Sequence, residues 1–127
     1  MKLLLDTHIL LWAAVDMLPK DAMSYITDKE NILLFSSASI WEIIIKKSLN
    51  RPDFKVDPPL LYRGLLDNGY NELAITCHHV LFVEDLPLLH KDPFDRILIA
   101  QARAEGAALL SSDKTLADYS PTIYIDT

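Results

Sequence analysis

The chain has 127 residues, half of them apolar and only three of them glycine, with one cysteine and a formal net charge of −6. That length suits one domain, residues 1–127, able to bury roughly two thirds of its unfolded surface without disulfide staples; the composition excludes collagen-like, disulfide-framed and disordered chains. No apolar run approaches the roughly 20 residues that cross a bilayer, so no membrane contact is expected, and the acidic balance requires a nucleic-acid ligand to be held by a local basic patch or by bound cations.

Lys2 to Leu5 is too brief for a helix and is ended by Asp6-Thr7, which predicts a fully buried parallel strand; Asp6 and His8 also interrupt the run too early for a signal peptide. A helix carrying Ile9, Leu10, Trp12, Ala13 and Ala14 follows, capped by Asp6 or Thr7, with Trp12 read as core. Pro19 opens a second helix through Asp28. Ile32 to Phe35 is the second strand, closed by Ser36-Ser37, and Ala38 to Leu49 the next helix. That helix is apolar nearly all round and so is expected to be buried on most sides, with Glu42 as its one acid. Ser39 and Glu42 have capping-box spacing, which gives Glu42 a purely structural reading beside a functional one. Lys46 and Lys47 either favour the negative end of the helix or reach phosphates.

Asn50 to Asp57 is a polar, proline-bearing loop and the expected hinge. Pro58-Pro59 starts a helix over Leu60 to Asp67, Glu72 to Ile75 is a third strand, and Thr76 caps a helix to about Leu86. The lone Cys77 cannot form an internal disulfide; it reads as a small buried residue and suits a reducing cytosol, hence a cytoplasmic protein. His78, His79 and His90 have no metal-ligand spacing and read as surface or loop residues. Asp92 caps a helix with Pro93 at its first position and Gly106 past its end, so that cap does not need Asp95. Asp95 shares a face with Leu98, Ile99 and Ala102, as a dipole partner or as a ligand. Ala107 to Leu110 is a strand with Asp113 at its carboxyl end, and Ile123 to Ile125 another. Strands alternating with helices predict a doubly wound α/β fold, three layers deep, around a mostly parallel sheet of about five short strands.

Each of Asp6, Glu42, Asp95 and Asp113 can be explained singly as a helix-start residue. Together they sit where strands end and helices begin, and in a parallel sheet those positions lie along one edge, where ligands bind. Four converging carboxylates would disfavour each other's ionisation unless a divalent cation joined them, and an all-oxygen set points to Mg²⁺ or Mn²⁺.

Leu4-Leu5-Asp6-Thr7-His8, Ser39-Ile40-Trp41-Glu42, the run from Asp92-Pro93-Phe94-Asp95 to Ala102, and Ser111-Ser112-Asp113 together resemble a PIN domain, and within that family the VapC toxins of type II toxin-antitoxin pairs. The resemblance spans essentially the whole chain and implies the PIN fold. It also implies a Mg²⁺- or Mn²⁺-dependent ribonuclease, usually a homodimer, inhibited by a cognate antitoxin whose C-terminal segment enters the site. By position it makes Asp6, Glu42, Asp95 and Asp113 the acidic site, with Asp6 and Asp95 as direct ligands. Ser111 stands where the family often has Thr, which keeps the hydroxyl. The mechanism the resemblance implies is metal-activated hydrolysis of a phosphodiester, which needs no side-chain nucleophile; Thr7, Ser39 and Ser111 would orient carboxylates or water, although capping also explains Thr7 and Ser39. A catalytically idle PIN-like module that binds RNA or antitoxin is the competing reading. A haloacid-dehalogenase-type phosphatase would want an aspartate at His8, and a receiver-like domain would want a second acid beside Asp6.

Overall fold

The structure is a computed structural model that describes residues 1–49, 55–89 and 91–126. Five strands form one sheet: β1 (Lys2–Leu5), β2 (Ile32–Ser36), β3 (Asn71–Leu73), β4 (Ala108–Ser111) and β5 (Thr122–Tyr124). The sheet order is β3-β2-β1-β4-β5 and every neighbouring pair is parallel. Among the described residues six α-helices connect them: α1 (Thr7–Ala14), α2 (Lys20–Thr27), α3 (Ser37–Ser48), α4 (Pro58–Asp67), α5 (Cys77–Val83) and α6 (Pro93–Glu105). This is the expected three-layer fold with a fully parallel sheet.

Alternation along the strands divides the core between the two faces. Leu3 and Leu5 of β1 join Phe35 and Leu110 against Ile9 and Leu10 of α1, Ala22 of α2, and Leu61 and Leu65 of α4. Leu4 joins Leu34 and Leu109 on the other face against Leu98, Ile99 and Ala102 of α6. Covered on both sides, β1 is apolar without alternation, and each fully buried leucine there contributes roughly 1.5–3 kcal/mol of transfer free energy.

The caps fall largely where the residue types place them. Asp92 Oδ1 accepts from Phe94 N at 2.8 Å and Asp95 N at 3.3 Å, Pro93 opens α6, and Gly106 ends it at φ +64. Asp57 and Thr76 cap α4 and α5. Several expectations are corrected. The cap of α3 is Ser36, whose Oγ accepts from Ala38 N at 3.0 Å, so Ser39 lies inside the helix and forms no capping box with Glu42. Nor is α3 buried on most sides, because Trp41 and Ile44 are 60% and 48% exposed. Strand β3 begins earlier than expected and stops at Leu73, since it pairs with only Leu34 to Ser36. Helix α5 ends at Val83, and a 3-10 helix, Lys114–Asp118, that no periodicity announces follows β4.

Cys77 is exposed rather than buried, because it opens α5 on the solvent side. His79 is buried rather than on the surface: its Nδ1 accepts from Thr76 N at 3.1 Å, completing a capping box, while Nε2 meets Glu105 Oε2 at 2.8 Å. A ring nitrogen that accepts from a backbone amide carries no proton, so the other nitrogen donates to the carboxylate. His90 and residues 50–54 of the expected hinge lie outside the described residues.

Candidate active site

Sheet order reverses at β1, which has β2 on one side and β4 on the other. The crevice beyond the carboxyl ends of β1 and β4 is therefore the topological switch point, where open α/β sheets place their ligands. Asp6 stands there. Its backbone N–H donates to Leu110 O at 2.9 Å, which ties the end of β1 to β4.

The Asp6 side chain is almost fully buried and doubly held: Oδ1 accepts from Thr7 N at 2.7 Å and Oδ2 from Ser111 Oγ at 2.7 Å. Ser111 Oγ in turn accepts from Asp113 N at 3.0 Å. One buried hydroxyl thus fixes both the Asp6 carboxylate and the backbone that carries Asp113. On the other side, Thr7 Oγ1 lies 2.7 Å from Glu42 Oε1 and 2.9 Å from Ser39 Oγ. A hydroxyl has one proton, so Thr7 donates to the carboxylate, the stronger acceptor, and Ser39 supplies the proton between the two hydroxyls. Glu42 Oε2 is 3.3 Å from Lys46 Nζ, an i,i+4 pair. Lys46 therefore neutralises Glu42, a role sequence spacing left open between helix dipole and phosphate.

Asp113 Oδ1 accepts from Thr115 N at 3.0 Å and from Thr115 Oγ1 at 2.7 Å, capping the 3-10 helix. Asp95 is half-buried in the first turn of α6, whose capping is done by Asp92. Phe94, beside Asp95, packs edge-to-face on Trp41, beside Glu42, with ring centroids 5.1 Å apart. The starts of α3 and α6 are thereby brought together.

The Ser111 hydroxyl thus bridges Asp6 to the Asp113 backbone, and Thr7 joins Asp6 to Glu42 through two groups, its N–H donating to Asp6 and its hydroxyl to Glu42. Among the described residues, no three His, Cys, Asp or Glu side chains form a group arranged to hold a metal ion. Burial raises the Asp6 pKa from its ordinary value and the Glu42 charge adds to it, against the lowering effect of the Ser111 and Thr7 hydrogen bonds and of His8. The carboxyl is short of positive charge, the condition that a bound cation relieves. The side-chain partners held by Asp6, Thr7 and Ser111 are hydroxyl and carboxylate oxygens, which suit a hard divalent ion in kind. Sequence reasoning missed the electrostatic contact of His8 with Asp6 and the Trp41–Phe94 pair. Its available signal was an aromatic residue immediately before each of Glu42 and Asp95.

The sequence matches the PIN domain family over residues 3–120, and the chain belongs to that family. Its fold is similar to that of VapBC2 from Rickettsia felis, solved bound to a DNA fragment from their promoter, with a TM-score of 0.74, 16% identity and 98% of each chain covered. It is also similar to VapBC-1 from nontypeable Haemophilus influenzae, with a TM-score of 0.65, 17% identity and 98% of each chain covered. A toxin-antitoxin complex from Klebsiella pneumoniae gives a TM-score of 0.64 at 18% identity over 94% of each chain. Among curated protein sequences no relative matches. No described helix is long and apolar enough to cross a membrane.

Proposed function

We propose that the chain is a metal-dependent endoribonuclease and the toxin of a type II toxin-antitoxin pair. The observation that carries the reading is the buried Asp6 carboxylate at the sheet's switch point, joined to Glu42 through Thr7 and to the Asp113 backbone through the Ser111 hydroxyl, in a PIN domain chain. The toxin role draws on the VapBC complexes that share the fold.

Asp6, Asp95, Glu42 and Asp113 would hold Mg²⁺ or Mn²⁺, which supplies an activated water and neutralises charge on the phosphate. The chain's own work is positioning. Ser111 fixes one oxygen of Asp6 and Thr7 N the other, so the carboxylate cannot rotate. Thr7 holds Glu42, and Lys46 limits the repulsion between Glu42 and Asp6. The partners are RNA as substrate, a cognate antitoxin, and a second copy in a homodimer. Ile9 and Leu10 of α1 are core, whereas exposed Val80, Leu81, Leu88 and Leu89 leave apolar surface for the contact between copies.

That no three acids among the described residues form a ready metal-holding group favours a second reading, an idle module that binds RNA or antitoxin without cutting. Incubating the chain with RNA in Mn²⁺, in Mg²⁺ and in EDTA separates the two. Cleavage that needs the metal and disappears in Asp95→Asn supports the nuclease; RNA binding without cleavage in any metal supports the idle module.

A further inference from the structure

One backbone oxygen in the connection between α5 and α6 is held from two sides. Pro87 O accepts from the Tyr119 hydroxyl at 2.7 Å and from Arg96 Nη1 at 3.3 Å, while Arg96 Nη2 reaches Val83 O, at the end of α5, at 3.3 Å. The Tyr119 hydroxyl also accepts from Leu89 N at 3.0 Å, so it meets the connection as donor and as acceptor. Its ring is fully buried in the cluster of Leu98, Leu109 and Leu116. A phenylalanine would fill that volume equally well; what the hydroxyl adds is the grip on the connection.

Both grips start beside an acid of the proposed site. Arg96 follows Asp95 in the first turn of α6. Tyr119 ends the 3-10 helix that Asp113 caps, with Leu116 N donating to Asp113 O at 3.1 Å and Tyr119 N to Leu116 O at 3.1 Å. Pro87 O is therefore where a route from Asp95 through Arg96 meets a route from Asp113 through Tyr119. The Asp92 cap shapes the first turn of α6 but does not fix where that turn stands on the sheet. A guanidinium does, because its donors form a rigid fork and two separate carbonyls define its direction.

We propose that Tyr119 and Arg96 are positioning residues: through the Pro87 carbonyl they set where Asp95 stands relative to Asp113, and with it how tightly the acidic site holds its divalent cation. The inference rests on the metal-dependent reading and adds to it two residues that do not touch the cation. Groups that orient metal ligands from behind are worth about 10–100-fold in metal affinity. A purely structural hydroxyl would instead contribute to folding and leave the metal affinity of the folded chain unchanged.

The test is calorimetric titration with Mn²⁺ of wild type, Tyr119→Phe, Arg96→Lys and the double variant, with Leu65→Ala as a control that opens the core on the opposite face of the sheet. Tyr119→Phe keeps the ring and Arg96→Lys keeps the charge, yet each should raise the Mn²⁺ Kd roughly tenfold or more. The double variant should lose far less than the product of the two, because both act on one carbonyl. Leu65→Ala should be less stable with a wild-type Kd. Cleavage by Tyr119→Phe should recover the wild-type kcat at saturating Mn²⁺, and in EDTA its Asp95 amide resonance should move. A Tyr119→Phe chain with lower Tm but wild-type Kd, an equal loss of affinity in Leu65→Ala, or fully multiplicative losses in the double variant would each overturn the clamp. The expected Kd pattern without RNA cleavage by wild type would end the nuclease reading and keep the clamp. Absence of Mn²⁺ binding by wild type would end the metal reading; the clamp would then stand if the Asp95 amide moves in Tyr119→Phe and fall if it does not.

Discussion

Ser111→Ala isolates the hydroxyl at the centre of the site. The Ser111 side chain is fully buried, donates to Asp6 Oδ2 at 2.7 Å and accepts from Asp113 N at 3.0 Å. A hydrogen bond to a charged group contributes about 1.5–3 kcal/mol and a neutral one about 0.5–1.5, and Asp113, half-buried, recovers part of its loss from water. The expected cost is about 2–3 kcal/mol; with about 2.1 cal/mol/K of unfolding entropy per residue over 127 residues, this lowers Tm by ~7–11 °C. The cost should depend on pH. The folded pKa of Asp6 lies above its unfolded value, so the unfolded chain binds fewer protons between the two and stability falls as pH rises through that window. Ser111 is the strongest influence holding that pKa down, so its loss extends the window upward. The penalty should therefore grow as pH rises, because the carboxylate loses more than the neutral acid when its donor is removed. Ser111→Thr, which keeps the hydroxyl, should retain the wild-type pH profile. Thermal melts across pH in EDTA read both effects, and a Ser111→Ala cost below about 0.5 kcal/mol, or one independent of pH, would refute the bridging role.

Asp95→Asn should abolish RNA cleavage without unfolding the chain, because Asp92 caps α6; Mn²⁺ at about 100 times its Kd should stabilise wild type by about 2.7 kcal/mol and Asp95→Asn much less, as read by melts in EDTA and in Mn²⁺. Glu105→Gln should cost about 0.5–1 kcal/mol at neutral pH, since the His79 hydrogen bond lowers the Glu105 pKa; that stability is present above the unfolded pKa and lost as pH falls through the folded one, so urea titrations of the two proteins should converge in acid. Gly106→Ala should cost about 1–2 kcal/mol in urea titration from the left-handed backbone alone, because no atom lies within 4 Å of the added Cβ.

The central strands β1, β2 and β4 were legible because they are largely buried, and a short run of three leucines such as Leu3 to Leu5 has no other economical home. The ends of α6 were legible because Asp92, Pro93 and Gly106 act locally. The cap of α3 was misplaced for a related reason: Ser36, Ser37 and Ser39 offer the same chemistry, and only the strand's tertiary path selects Ser36. His79 and Cys77 were misread because adjacent helix positions face opposite environments, and nothing local orients α5 on α6. Within the site, Asp6 and Ser111 are 105 positions apart, so their bond depends on the β1–β4 register rather than on any local pattern. The Trp41–Phe94 ring pair is non-local in the same way, since its members come from α3 and α6.

Both borders of the sheet are three-residue strands, β3 and β5, and residue 121, just ahead of β5, is a proline. Long unpaired borders invite other chains to add strands and build extended aggregates; short ones offer too few backbone donors and acceptors to seed such growth. The same economy limits how a partner can be recruited. A peptide aligned along either border would gain only a short ladder, so lasting association must draw its free energy from side-chain contacts on the helical layers. Recognition of this chain is thereby moved from main-chain geometry, which every sequence shares, to surfaces whose residues can change one at a time.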